Sequence, residues 1–112
     1  MAFNTVINFS MIASDGGSAA IAKTIAANEK ALFDHVFVPG THNLSSFLAQ
    51  LNQVKALFLA AEVADFVYSL DGVNFSPRRY RTIYLDTADA GVTTLLITLT
   101  QQTRVQLFAI GD

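Results

Sequence analysis

The feature that most constrains this chain is a period of two in its apolar residues. It is clearest from Val92 to Ile110, VTTLLITLTQQTRVQLFAI. Side chains alternate across a strand, so Leu95, Ile97 and Leu99 share one face and Thr94, Leu96 and Thr98 share the other. The second run sets Val105, Leu107 and Ala109 against Arg104, Gln106, Phe108 and Ile110. β-Branched and aromatic residues suit a pleated, half-buried surface. Two such runs separated by Gln101-Gln102 read as a hairpin near the C-terminus. Its tip is not the Asn-Gly or Asp-Gly of a tight primed turn, so a longer, looser connection is expected. Leu95, Ile97 and Leu99 are expected in the core. Leu96, Phe108 and Ile110 are expected on the outside, as contacts between subunits.

The same alternation recurs upstream. Phe3–Met11 reads as a strand, followed by a loop at Ser14-Asp15-Gly16-Gly17-Ser18. Ser18–Ala27 is rich in Ala and fits either a helical turn or an edge strand; residues 1–27 together are expected to form a flexible N-terminal arm. Lys30–Val38 alternates cleanly and ends at Pro39-Gly40, where Pro removes a ladder donor and Gly permits a turn. Asn43 reads as a helix N-cap, with one short helix near residues 43–51. Leu44, Phe47, Leu48, Leu51, Val54 and Phe58 also fit one long helix to Ala61. The strand-like context favours a helical turn followed by a strand over Val54–Ala61. Asp71-Gly72, between Asp65–Leu70 and Val73–Phe75, reads as a hairpin turn. Tyr80–Leu85 is a further strand and Asp86–Gly91 a turn. Short strands with turns every eight to twelve residues or so predict a mainly β, antiparallel β-sandwich, jelly-roll-like or barrel-like, in one domain over residues 1–112.

Composition narrows the function classes. A chain of 112 residues buries roughly two-thirds of its unfolded surface, enough for a core without staples. It has no cysteine, so neither a disulfide framework nor a thiolate metal site is available. Hydrophobic residues make up 52% and charged residues 14%, against a usual charged share of about 25%. So small a domain cannot hide that much apolar side chain, and contiguous exposed apolar surface marks partner interfaces. The composition therefore favours an oligomer or an assembly subunit. A net charge of −2 argues against nucleic acid, whose phosphates call for a basic stripe. MAFNTVINFS lacks a basic region followed by an apolar run, so no signal peptide is expected. The most apolar window, Leu44–Ala61, carries Lys55 and is too weak for a membrane span.

No pattern names a reaction. His35 and His42 flank Pro39-Gly40, and a metal needs about three or four ligands; Asp34 points to the opposite strand face from His35. Gly16-Gly17-Ser18 is too short for a phosphate loop, and no nucleophile elbow accompanies Ser10, Ser45 or Ser46. No catalytic residue, cofactor or metal ligand is expected. Arg78, Arg79 and Arg81 are the one basic cluster and suit a carboxylate-bearing partner surface. Asn8-Phe9-Ser10, Asn43-Leu44-Ser45 and Asn74-Phe75-Ser76 match the glycosylation triplet without a secretion signal. Tyr68-Ser69-Leu70-Asp71-Gly72-Val73-Asn74-Phe75 is similar to a hairpin found in many β-sandwich modules, including discoidin-like carbohydrate-binding domains.

Taken whole, the chain resembles small structural proteins of tailed bacteriophages, in particular capsid decoration (cement) proteins. The resemblance rests on the short cysteine-free chain, the small-residue segment Ser10–Ala27, the L-x-x-F-L-x-x-L turn at Leu44–Leu51 leading into a strand, and the terminal hairpin. It implies a β-sandwich subunit, often trimeric, that bridges major capsid subunits on the surface of a virion assembled in the host cytoplasm. No nucleic acid or membrane partner is implied. The expected interface groups are Phe3, Phe9 and Met11 on the arm, Arg78, Arg79 and Arg81 on the loop, and Leu96, Phe108 and Ile110. The alternative is a binding module of a phage tail, fibre or baseplate, or a carbohydrate-binding β-sandwich, with Tyr68, Tyr80 or Tyr84 exposed in a concave patch.

Overall fold

A computed structural model describes residues 2–87 and 92–112. The expected turn at Asp86–Gly91 falls mostly outside them. The described residues form β1 (Phe3–Ile12), β2 (Ser18–Ala27), β3 (Glu29–Phe37), β4 (Gly40–Asn43), α1 (Ser45–Leu48), β5 (Val54–Ala61), β6 (Phe66–Ser69), β7 (Thr82–Asp86), β8 (Leu96–Leu99) and β9 (Thr103–Gly111). β1 and β2 pair with each other alone. The remaining strands make a four-stranded sheet, β3-β9-β5-β7, and a three-stranded sheet, β4-β8-β6. Every pairing is antiparallel. The fold is mainly β and sandwich-like, as the alternation predicted.

The connectivity departs from expectation. From β3 onward each strand lies in the opposite sheet from the one before it. Val92–Ile110 is therefore not a hairpin. β8 pairs with β4 and β6, and β9 pairs with β3 and β5. The physical reason lies in the apolar faces themselves. Leu95, Ile97 and Leu99 and their counterparts Val105, Leu107 and Ala109 are all at most 2% exposed. A hairpin would set the two rows side by side in one sheet, with nothing opposite them. An arch between sheets stacks them across the same core. Thr103, itself buried, braces this crossing: its Oγ1 accepts from the amides of Val63 (3.0 Å) and Ala64 (3.4 Å), which lie in the β5–β6 crossing.

Asp71-Gly72 makes no hairpin either. β6 ends at Ser69, and the chain returns without forming a strand over Val73–Phe75. At Pro39-Gly40 the chain passes from β3 to β4, with Gly40 at φ +126°, a conformation that costs an L side chain dearly. The helix is a single turn. Its cap position is Leu44, with no side-chain cap, so Asn43 lies one residue short of the expected role and its Oδ1 accepts from the Ser45 amide at 2.9 Å. Leu44, Leu48 and Leu51 plug one end of the core. Val54–Ala61 is a strand, so the helical spacing through Phe58 did not extend the helix. Ser18–Ala27 resolves as a strand, in register with β1 from Phe3↔Ala27 to Ile12↔Ser18.

A second, smaller cluster lies on the outer face of the four-stranded sheet. Ala27, Ala56 and Ile110 are buried there, packed by Phe3, Ile7, Ile25, Tyr84 and Phe108. It ties the base of the β1–β2 arm to the body. The radius of gyration, 14.8 Å, exceeds the ~13 Å usual for a chain this long, consistent with a projecting arm. The C-terminus closes the same region: Gly111 O accepts from the Asn28 amide (2.9 Å), and the Asp112 amide donates to Gln53 O (3.0 Å). A Cβ on Gly111 would overlap the Gln53 carbonyl and crowd Val54. Gly111→Ala is expected to cost at least about 2 kcal/mol, lowering the thermal midpoint by roughly 10 °C. Differential scanning calorimetry checks this, and an unchanged midpoint would show that the terminus is not held against Gln53.

Candidate interaction surface

The arm is amphipathic by register. Residues facing one another across the ladder point the same way, so Phe3, Ile7, Phe9 and Met11 share a face with Ile25, Ile21 and Ala19. Near the base this face lies on the four-stranded sheet; Phe3, Thr5, Ile7 and Ile25 are half-buried. Beyond Ile7 every residue of β1 is exposed, as is every residue of β2 before Ile25. Phe9 still reaches the sheet, its ring centroid 5.0 Å from that of Tyr84. Met11 is 80% and Ile21 65% exposed. Lys23 forms an ion pair with Asp86 that pins the arm over β7, and this hydrogen bond raises the Lys23 pKa.

Between arm and sheet lies a cleft of about 320 Å³, walled by Ile7, Phe9, Phe58, Tyr84 and Phe108 among others. The Tyr84 hydroxyl is buried without a hydrogen-bond partner among the described residues. Burial raises its pKa. Beside the arm the sheet continues as an apolar row: Leu32, Phe108, Phe58 and Tyr84 are successive neighbours across the strands. Leu32 is 68% exposed, and Val36, on the same face of β3, is 62% exposed. Between these two, Asp34 is held by Arg104 through two hydrogen bonds (2.6 and 2.7 Å) and by Gln106 at 3.2 Å. The Arg104 guanidinium keeps the Asp34 carboxyl below its usual pKa.

The expected interface residues separate on this geometry. Phe9 and Met11 are exposed on the arm. Phe3 is half-buried at its base and Phe108 half-buried beside it. Ile110 is corrected: it is 1% exposed and covered by the arm of its own chain. Leu96 is half-buried on the outer face of the three-stranded sheet, where Asn43 and Ser69 flank it. Arg78, Arg79 and Arg81 are all exposed, and Arg79 lies 3.3 Å from Asp65. Residues that sequence reasoning passed over are Leu32, Val36 and Ile21. Their signal was present: Leu32 and Val36 alternate with core residues on β3, and they face outward with only one acidic residue between them.

Of the three tyrosines, Tyr68 and Tyr80 come together, centroids 5.9 Å apart. They line a shallow groove with Phe75, Asp71 and Asn74. Tyr84 lies elsewhere, under the arm. The groove's floor is rigid. Asp71 Oδ1 accepts from the amides of Asn74 (2.7 Å) and Val73 (2.8 Å) and from the Ser69 hydroxyl (2.9 Å), while Asn74 Nδ2 donates to Oδ2. Gly72, at φ +83°, donates to Ser69 Oγ. His35 and His42 are not joined: His42 Nε2 lies 2.7 Å from Val38 O. Among the described residues no three of His, Asp and Glu gather at one point, and no helix is long and apolar enough to cross a membrane. No family model, curated protein or solved structure matches the chain.

The Asp71 turn has a pH signature. The Asn74 and Val73 amides, with the Asn74 and Ser69 side chains, hold the Asp71 carboxyl well below the usual carboxylate range. A depressed folded pKa gives a contribution fully present above the unfolded value of about 3.9 and lost only as pH falls through the folded value. The Val73 and Asn74 amide resonances are expected to hold their positions down to about pH 3. A titration midpoint near 4 in their NMR shifts would show that the turn does not grip the carboxylate.

Proposed function

We propose that this protein is a non-enzymatic structural subunit of a bacteriophage particle, a capsid decoration (cement) protein that stabilises the head by bridging major capsid subunits. The observation that carries this reading is the arm. A two-stranded ribbon is at best marginally stable alone in water. Here the outer half of such a ribbon carries Phe9, Met11, Ile12 and Ile21 into solvent. Apolar side chains placed so are explained by a surface that covers them. Low charge and a polar, largely internally paired loop region agree with a protein that works by contact. On this reading the copies associate, with a trimer favoured, and the partner is the major capsid protein on the virion surface. Many modest contacts per particle act together, so no single strong site is required.

A second reading has its own observation: the Tyr68–Tyr80 groove beside the rigid Asp71 turn. It suits a binding module of a tail, fibre or baseplate, or a carbohydrate-binding β-sandwich, since paired aromatic faces and fixed polar groups are what such sites use. Arg78 and Arg79 flank the groove in sequence and would serve either reading.

Immunogold electron microscopy separates the two. An antibody to this chain is expected to decorate the heads of phage particles from the source culture. Label confined to tails or fibres would favour the second reading. Unlabelled particles of both kinds would remove both.

A further inference from the structure

We infer that β1 of one copy adds to the β3 edge of a second copy, setting the outer half of the arm beside the row that contains Leu32 and Val36. This deepens the assembly reading and rests on its premise that copies associate. Two unpaired features of the same chain match one another. β1 is ten residues long, its register to β2 is unbroken, and its other edge pairs with nothing among the described residues. It contains no charge, no proline and no bulge. Those are the devices by which strands at an edge are kept from pairing with other chains.

β3 is the complementary edge. It ends the four-stranded sheet on the side away from the arm, which covers β7 through Lys23 and Phe9. Near its start the Gln50 side chain caps the Lys30 carbonyl, leaving the stretch from Leu32 to Phe37 for pairing. Its outward side chains there are Leu32, Asp34 and Val36. Asp34 is already neutralised by Arg104, so covering the row strands no unpaired charge. Phe108 and Phe58 continue it across the sheet beside a depression of about 560 Å³, and Met11, 80% exposed, is the arm side chain free to reach its rim.

Area decides how many such contacts a copy needs. The six residues from Leu32 to Phe37 span about 20 Å, and a strip that long and roughly 10 Å wide covers roughly 200 Å². A stable interface takes about 600–800 Å² from each partner. One strip is therefore too little. A copy that gives its arm to one neighbour and receives another neighbour's arm on β3 engages two strips, roughly 400 Å² in all, so each pairing is weak and is held by closure of the assembly. This head-to-tail contact is heterologous and must close into a ring or a reciprocal pair to be finite.

The cysteine-free chain allows a clean test. Met11→Cys and Val36→Cys are made singly, at positions 80% and 62% exposed, so the fold should be retained, as circular dichroism checks. The two variants are mixed and treated with a short bismaleimide. A covalent pair is expected from the mixture and little from either variant alone. Met11→Cys that links only to itself would replace the inference with arm-to-arm pairing. Light scattering that gives a monomer across the accessible concentration range would also overturn it, together with the premise that copies associate, and would leave head labelling as the separate test of the decoration reading. Cross-links between Met11→Cys and Val36→Cys in a protein that labels no particle would support the pairing while removing the decoration reading.

Discussion

The sandwich depends on one strand that is hydrogen-bonded along both edges. β9 holds β3 from Glu29↔Gly111 to Phe37↔Thr103 and holds β5 from Val54↔Gly111 to Ala61↔Val105. Its inner side chains, Val105, Leu107 and Ala109, are fully buried. Its outer ones differ along the strand. Ile110 and Phe108 meet the arm; Gln106 and Arg104 grip Asp34. One strand thus fixes the core, the arm's base and the charge balance of the exposed row. The β5 bulge between Val54 and Ala56 accommodates the same strand where Gly111 passes Gln53.

On β8 and β9 the core-facing sets are the ones the period of two selects; on β5, a nearly continuous apolar run in which Ala56 and Leu57 are both buried, alternation decides nothing. Facing was readable where the alternation is clean. Which strand pairs with which was not, because alternation reports facing and carries no information about partners. Consecutive strands are neighbours in roughly two-thirds of cases, and this chain belongs to the remainder from β3 onward. Asp71-Gly72 shows the cost of inferring from a dipeptide: the Asp serves as an acceptor for its own loop instead of closing a hairpin. Ser18–Ala27 was ambiguous because Ala favours helices by propensity; pairing with β1 overrides that preference. Ile110 was assigned to the right face, but the alternation could not say that the chain's own arm covers it.

The two outer faces of the sandwich are chemically unlike. On the three-stranded sheet, Thr41 and Thr98 bond hydroxyl to hydroxyl at 2.8 Å, and Asn43 stands beside the half-buried Leu96. At its β6 end Ser69 is buried and bonded to Asp71 and Gly72. The four-stranded sheet presents Leu32, Val36, Phe58 and Phe108, with the arm along one side.

The order of the strands along the chain has a consequence for synthesis. β9 joins β3 to β5, yet it emerges from the ribosome last. At about 5–20 residues per second, β3 must wait several seconds for its partner, and the core cannot close before then. β1 and β2 need nothing that follows Ala27 in order to pair with each other. Nascent chains therefore carry a ribbon that can pair early, charged only at Asp15 and Lys23, but is only marginally stable until the sheet it packs on has closed. The apolar face at the base of the ribbon has no cover until Phe108 and Ile110 arrive with β9.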